Sequence, residues 1–360
     1  MIPQMEPWFG DEEADAVAAY MRSGGWITEF QQTRAFEQAI AAYTGAKHCI
    51  VTNNGTISLT LAALALDIGA GDEVITPNYT MIATPNSVHM IGAKPVFVDV
   101  EAETLCMSLD AARAAITPRT KALMLVAANG RYPKAGIEAF EALCTERGIA
   151  LIEDSAQALG SYYPDGRHVG RAGRIGSFSF SMPKVISTGQ GGALITDDDA
   201  LAARLRKLKD FGRTGGGNDI HDSIGWNFKF TDLQAVVGLE QMKKLAWRVE
   251  RKKAIWRGYS EGLKGVSGIR LFEHDLERTS PWFIDALCAQ REELAAHLKA
   301  SGVGSRVMYP PINRQEAYNL PGDYPVSERV GREGLWLPSA SQLRDEQIAA
   351  ICARIRAFYG

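Results

Sequence analysis

Lys184 is an unusual residue for its surroundings. It stands within 175–197 between two apolar runs that alternate like strands, with Ser177, Ser179, Ser181, Ser187 and Thr188 around it and Gly189, Gly191 and Gly192 close behind. Burying an unpaired ammonium is costly, so a lone lysine is a poor choice for a strand-lined core. It suits an amine that must give up its proton and attack a carbonyl. Two further pieces stand upstream. Asp154 ends an apolar run, and Asn53-Asn-Gly-Thr56 separates a short strand-like run from a long apolar helix.

Together these residue types point to pyridoxal phosphate (PLP). The lysine would hold the cofactor as an imine. A carboxylate beside the pyridine nitrogen would keep that nitrogen protonated, so that the ring can take up electrons. Gly55 and Thr56 precede a helix, whose N-terminal N–H groups suit a phosphate. Singly, each residue has an ordinary role open to it. Lys184 fits a surface hairpin, Asp154 a helix N-cap, Gln157 a solvent-facing first turn, and Gly55-Thr56 a plain strand-to-helix turn. Ser179 fits a satisfied core hydroxyl, and Gly189-Gln-Gly-Gly192 alone is a turn.

Alternating elements must position these residues. Apolar periodicity predicts helices at 11–22, 30–44, 58–68, 81–91, 109–116 and 137–147, and strands at 48–54, 73–77, 94–100, 121–127 and 149–154. Strands separated by helices of this length mark βαβ units and a mostly parallel sheet, so the fold class expected is α/β. Ligands in such sheets sit at the carboxyl ends of strands. Asn53–Thr56, Asn78-Tyr79-Thr80 and Asp154-Ser-Ala-Gln157 stand at those ends. Beyond the lysine, a helix is expected at 199–210, a mobile Gly-rich loop at 212–219, and a long helix from 231 to about 263. Composition suggests a large domain over 1–245 and a smaller one over 246–360. The second holds strands near 281–287 and 305–309, a helix at 292–300, a Pro/Asn/Gly-rich connector at 310–325 and a last helix at 346–358. No internal repeat or low-complexity tract is apparent.

Composition narrows the function. The net charge of −3 supplies no basic field for nucleic acid or an anionic membrane. The five cysteines are odd in number, widely spaced and without a CxxC pair, which argues against a disulfide framework or zinc site and for a reducing cytoplasm. The six histidines stand apart from one another, so no metal site is expected. The opening residues lack a basic region followed by an apolar core, so no signal peptide is expected. No apolar run reaches the ~20 residues of a spanning helix.

The chain resembles the PLP-dependent sugar aminotransferases of the DegT/DnrJ family. The matching motifs are Asn53-Asn-Gly-Thr56, Gly71-Asp-Glu-Val74, Glu153-Asp-Ser-Ala-Gln157, Ser177-Phe-Ser-Phe180 with Lys184, Thr188-Gly-Gln-Gly-Gly192 and Gly225-Trp-Asn-Phe-Lys-Phe-Thr-Asp-Leu-Gln234. They occur in the family's order and cover essentially the whole chain. The resemblance implies the aspartate aminotransferase fold (fold type I): a mostly parallel seven-stranded sheet flanked by helices, with a smaller C-terminal α+β domain. It implies that Lys184 bonds the cofactor and moves the proton, that Asp154 pairs with the pyridine nitrogen and that Gln157 lies near the ring hydroxyl. Gly55, Thr56 and Ser179 would hold the phosphate. Asn227 would reach the phosphate of the neighbouring subunit's cofactor, giving a homodimer with shared sites. L-Glutamate would be the amino donor and a nucleotide-linked keto-sugar the acceptor. Related dehydratases carry histidine where this chain has Lys184, so amino transfer is expected. The resemblance extends to the branch that aminates C4 of nucleotide-linked 4-keto-6-deoxyhexoses; a C3 or cyclitol aminotransferase and a non-catalytic PLP-binding regulator are the alternatives.

Several positions depart from the family. Met81 stands where relatives often stack an aromatic on the cofactor ring, and sulfur can pack there instead. Ala127-Ala-Asn-Gly130 replaces a common His-Leu-Tyr-Gly. In Ser305-Arg-Val-Met-Tyr-Pro-Pro-Ile-Asn313, Pro310 and Asn313 replace the usual histidines, while Arg306 and Tyr309 remain candidates for the sugar. Lys229 replaces a common arginine, turning a forked donor into a point charge. Arg213, Arg306 and Arg314 are candidates for the diphosphate, with solvated surface charges as the ordinary reading.

Overall fold

The computed structural model describes residues 1–215 and 219–360; part of the Gly-rich loop expected at 212–219 therefore lies outside the described residues. Helices α1 (Asp11–Arg22) and α2 (Gln31–Thr44) lead into β1 (His48–Thr52), α3 (Gly55–Ala65), β2 (Glu73–Pro77), α4 (Ala83–His89) and β3 (Lys94–Val98). Then follow α5 (Leu109–Ala115), β4 (Thr120–Val126), α6 (Ile137–Arg147), β5 (Ala150–Asp154), β6 (Ile175–Ser179), β7 (Gly192–Thr196) and α7 (Asp199–Lys209). The remainder comprises α8 (Asp232–Gly262), β8 (Ile269–Leu271), β9 (Ile284–Cys288), α9 (Arg291–Ala300), β10 (Arg306–Val307), α10 (Pro325–Glu333), β11 (Gly334–Leu337) and α11 (Asp345–Tyr359).

The expected seven-stranded sheet forms in the order β1-β7-β6-β5-β4-β2-β3. The pairs from β6 through β3 are parallel, and β7 runs antiparallel to both β6 and β1. β1, β2, β4, β5 and β6 therefore all point one way, and their carboxyl ends meet along one edge. Strand alternation fills both faces. Ile50, Met124, Ile152 and Leu194 face the core under α3, while their neighbours Val51, Leu123, Leu151 and Ala193 face the cores on the other side. α3 is apolar all round because it is covered all round, with eight of its eleven residues buried.

α3 begins three residues earlier than its apolar periodicity suggests. Asn54 supplies the reason: its side chain accepts from the Ile57 N–H at 3.0 Å, and Gly55 and Thr56 become the first turn. α8 continues unbroken through 245 and 246, so the division placed there falls inside a helix. Its later residues Ile255, Trp256 and Tyr259 join the core of an antiparallel sheet ordered β10-β11-β9-β8. A further apolar cluster joins Tyr79, Leu105 and Ala128 to Phe272, Trp282, Phe283 and Trp336 across the two halves. β8, α10 and β11 are absent from the sequence reading; the two strands are too short for periodicity to mark, and α10 begins at Pro325, the last residue of the stretch read as a connector. No helix among the described residues is long and apolar enough to cross a membrane.

Candidate active site

At the carboxyl edge of the sheet lies a cavity of about 520 Å³ lined by Gly55, Thr56, Met81, Asp154, Gln157, Ser179 and Lys184, together with Thr80, Thr84, Ser181 and Gln190. Seven of the residues singled out from sequence thus share one space. Four do not. Asn227 is exposed, in a bridge with Asp210. Arg306 lies with its guanidinium 5.6 Å from the Trp336 ring centre, and Tyr309 packs edge-on to the same ring at 4.7 Å. Asn313 is buried and its amide is engaged: Oδ1 accepts from Asn78 Nδ2 at 2.9 Å, and Nδ2 donates to the Leu320 carbonyl at 3.2 Å.

Each wall of the cavity has a local cause. In the first turn of α3 the Gly55 and Thr56 N–H groups lack intrahelical acceptors. Gly55 is required there by contact, since a Cβ would lie 2.8 Å from Ser179 Cβ. Gly192 supports the same corner from behind, where a Cβ would fall 2.5 Å from the Asn54 carbonyl oxygen.

Asp154 ends β5 and is buried. Thr84 Oγ donates to its Oδ2 at 2.7 Å and the Ala156 N–H to its Oδ1 at 3.2 Å. Burial raises its pKa above the usual carboxylate range, against the opposing pull of those two donors and of the Lys184 charge. Gln157 is oriented through Oε1, which accepts from the Asn129 N–H at 2.6 Å; among the described residues its Nε2 has no hydrogen-bond partner. Met81 is exposed at the mouth, with Sδ 3.2 Å from the Ala83 N–H.

Lys184 is half-buried after a turn closed by its N–H to the Ser181 carbonyl at 3.0 Å. Its Nζ lies 4.3 Å from the Trp282 ring centre. Burial lowers the amine's pKa from the usual lysine range to about 8, partly opposed by Asp154. A carboxylate, a lysine close to neutrality and a helix N-terminus with open donors suit the pyridine nitrogen, the carbonyl carbon and the phosphate of PLP. The residues present therefore fit the group.

Sequence reasoning missed Thr84 and Trp282, and met Asn129 only as part of the departure at 127–130, with no role. Asn129 adopts a left-handed conformation (φ 55°), and its amide both donates to the Phe283 carbonyl and accepts the Phe283 N–H, at 2.8 and 2.6 Å. An Asn before Gly was the available signal, since Asn tolerates that conformation. Trp282 and Thr84 carried no local signal. Of the candidate arginines, Arg213 pairs with Asp219 at 2.5 Å and Arg314 with Glu328 at 2.5 Å. Lys229 pairs with Asp210 at 2.8 Å.

The fold and this cavity define a fold-type-I PLP enzyme. Residues 8–356 match the DegT/DnrJ/EryC1/StrS aminotransferase family. GDP-perosamine synthase of Escherichia coli O157:H7 is 33% identical over 99% of this chain and 98% of its own length. The crystal structure of S. venezuelae DesV is 33% identical and superposes with a TM-score of 0.91 over 97% of this chain and 94% of that one. The PLP form of the sugar aminotransferase Spr1654 from Streptococcus pneumoniae is 28% identical, with a TM-score of 0.92 over 99% and 98% of the two chains. The chain belongs to the DegT/DnrJ/EryC1/StrS family and is a PLP-dependent sugar aminotransferase.

Proposed function

We propose that this enzyme transfers the amino group of L-glutamate to C4 of a nucleotide-linked 4-keto-6-deoxyhexose. The observation that carries the reading is the end-to-end 33% identity to a GDP-perosamine synthase, joined to the single cavity that gathers Lys184, Asp154 and Gln157. PLP, once bound, supplies the electron sink that lets a proton leave the carbon bearing the amino group. Lys184 is the group that takes and returns that proton at Nζ; an amine with a pKa of about 8 exchanges protons readily near neutrality. Asp154 would hold the pyridine nitrogen, and Gln157 would offer its amide N–H to the ring hydroxyl. The Gly55 and Thr56 N–H groups and the Ser179 hydroxyl would hold the phosphate, and Met81 would cover the ring. Arg306 and Tyr309 would face the sugar. Asn313, with its amide engaged by Asn78, would act on the sugar pocket by holding that loop in place.

The reading includes a homodimer in which Asn227 completes the partner's phosphate site. Trp26, Ile27, Phe30, Phe211, Ile224 and Trp226 are exposed large apolar residues near Asn227 in sequence or along the adjoining loops, and such patches mark protein interfaces. A large unit over 1–245 with a smaller C-terminal unit, and a cytoplasmic setting suited to five free buried cysteines, belong to the same proposal.

The test is to incubate the purified enzyme with PLP, glutamate and a panel of nucleotide-linked 4-keto-6-deoxy and 3-keto-6-deoxy sugars. Mass spectrometry should show ketone converted to amine for a 4-keto member, and Lys184→Ala should abolish conversion. Amination of 3-keto members alone would overturn the C4 assignment. A cofactor that glutamate never converts to its amine form would overturn the donor.

A further inference from the structure

Trp282 meets Lys184 in two ways at once. Its indole N–H donates to the Pro183 carbonyl at 2.7 Å, the peptide that leads into the lysine. Its ring lies 4.3 Å from Lys184 Nζ, within the range of a cation–π contact. The indole is itself held on every side. The Trp282 main-chain carbonyl accepts from Lys252 Nζ at 2.9 Å, and its main-chain N–H donates to the Asn129 carbonyl at 3.3 Å. Its ring stacks on Phe283 at 3.8 Å and meets Trp336 edge-on at 5.8 Å. Trp336 in turn touches Arg306 and Tyr309.

We propose that Trp282 is a positioning residue for Lys184: the indole N–H fixes the peptide before the lysine, and the ring face is where the free ammonium rests when it is not bonded to the cofactor. The proposal rests on the reading of Lys184 as the lysine that carries the cofactor. A lysine side chain is long and flexible, and fixing it in one place costs rotamer freedom. An aromatic face against the amine, with the preceding peptide pinned to the same ring, offsets that cost. It leaves the nitrogen beside the cavity that holds Asp154. The other charged groups around the amine are Asp154 from β5 and, across the small cavity behind it, Glu6 of the N-terminal segment and Arg248 and Lys252 of α8. Trp282 is the uncharged member of this set, so its effect can be altered without moving a charge.

The experiment replaces Trp282 by mono-, di- and trifluorinated tryptophans, which keep the shape and weaken the negative ring face in steps. Lys184 is titrated in the cofactor-free protein by pH-dependent amine labelling read by mass spectrometry. The expected result is a stepwise loss of proton affinity, reaching about tenfold across the series. No dependence on fluorine number overturns the cation–π role. In a second arm, benzothienylalanine at 282 replaces the N–H by sulfur. Cofactor capture by the cofactor-free protein, followed by its visible absorbance, should slow by about tenfold; an unchanged rate overturns the positioning role. Wild-type protein that shows no absorbance band with PLP would instead overturn the underlying reading of Lys184, a different outcome from either.

Discussion

Replacing Asp285 by Asn should loosen β9 far more than a change of one atom suggests. Asp285 sits in β9 against Arg131, with Nη2–Oδ2 at 2.6 Å and Nη1–Oδ1 at 3.1 Å. The two side chains are 1% and 4% exposed, so water screens neither. The remaining guanidinium donors are taken: Nε donates to the Thr104 carbonyl at 2.8 Å, and Nη1 lies 3.0 Å from His274 Nε2. Burial, then the Arg131 charge, holds the His274 pKa well below the usual range, so that ring stays neutral and accepts. Asn at 285 leaves a buried cation without a counter-charge and turns an N–H₂ toward it. Removing one partner of a buried pair costs about 3–5 kcal/mol. Since 1.4 kcal/mol is a factor of ten, the β9 amides should exchange with deuterium roughly 100- to 4,000-fold faster, read on the 284–288 peptide by mass spectrometry. The control removes both charges, Arg131→Met with Asp285→Leu. It leaves the Thr104 carbonyl and His274 Nε2 each short of one donor but strands no buried charge, and should exchange more slowly than the single variant. Exchange of Asp285→Asn within about threefold of wild type, or a double variant as fast as the single one, would refute the reasoning that the Arg131 pairing holds β9 in place.

Three other outcomes follow from the same geometry. Gly192→Ala should lower stability by about 1–3 kcal/mol and weaken PLP binding in a spectroscopic titration, because the new Cβ would fall 2.5 Å from the Asn54 carbonyl, next to the turn proposed to hold the phosphate; unchanged PLP affinity would contradict that proposal. Cofactor capture by the cofactor-free enzyme should rise steeply up to the Lys184 pKa of about 8 and level off above it. At pH 7 about one amine in ten is then neutral, against roughly one in three thousand for an ordinary lysine, and a midpoint near 10 would show that burial does not act as described. His168 is buried with Nε2 accepting from the Gly160 N–H at 3.1 Å and Nδ1 against the Val169 carbonyl, and burial lowers its pKa to about 4. Its folded pKa lies below the unfolded value, so its contribution is complete above pH ~6.5 and is lost as pH falls toward 4. Between pH 7 and 5 the wild type should lose about 2 kcal/mol more than His168→Gln in urea unfolding, and parallel pH profiles would count against it.

What the sequence disclosed and what it withheld divide along one physical line. Asp154 and Gly55-Thr56 were legible because βαβ alternation announces a parallel sheet, and the carboxyl ends of such strands fall together whatever the loops do; Lys184 stood out as a lone amine between strand-like runs. Asp154 needed no knowledge of its neighbours to be placed. Thr84, which donates to it, stands 70 residues away on another connection, and nothing in its local pattern separates it from any helix threonine. The same holds for Asp232, read from sequence only as part of a motif. It accepts from the Phe30, Gln32 and Thr33 N–H groups at 2.7–2.9 Å, so an acid at the start of α8 caps α2, whose own preceding residue offers no side-chain cap. Arg131 and Asp285 drew no reading from the sequence, because composition cannot say that two charges 154 positions apart will bury each other. β8 and β11 are three and four residues long, below the length at which alternation can be told from chance. Local pattern therefore points to the proposed site, while long-range contacts decide how tightly it is held. The departure at Asn129 joins the two. Standing out in sequence only as an unusual residue before Gly130, it locks the Phe283 peptide and, through the next bond back, the ring on which Lys184 rests.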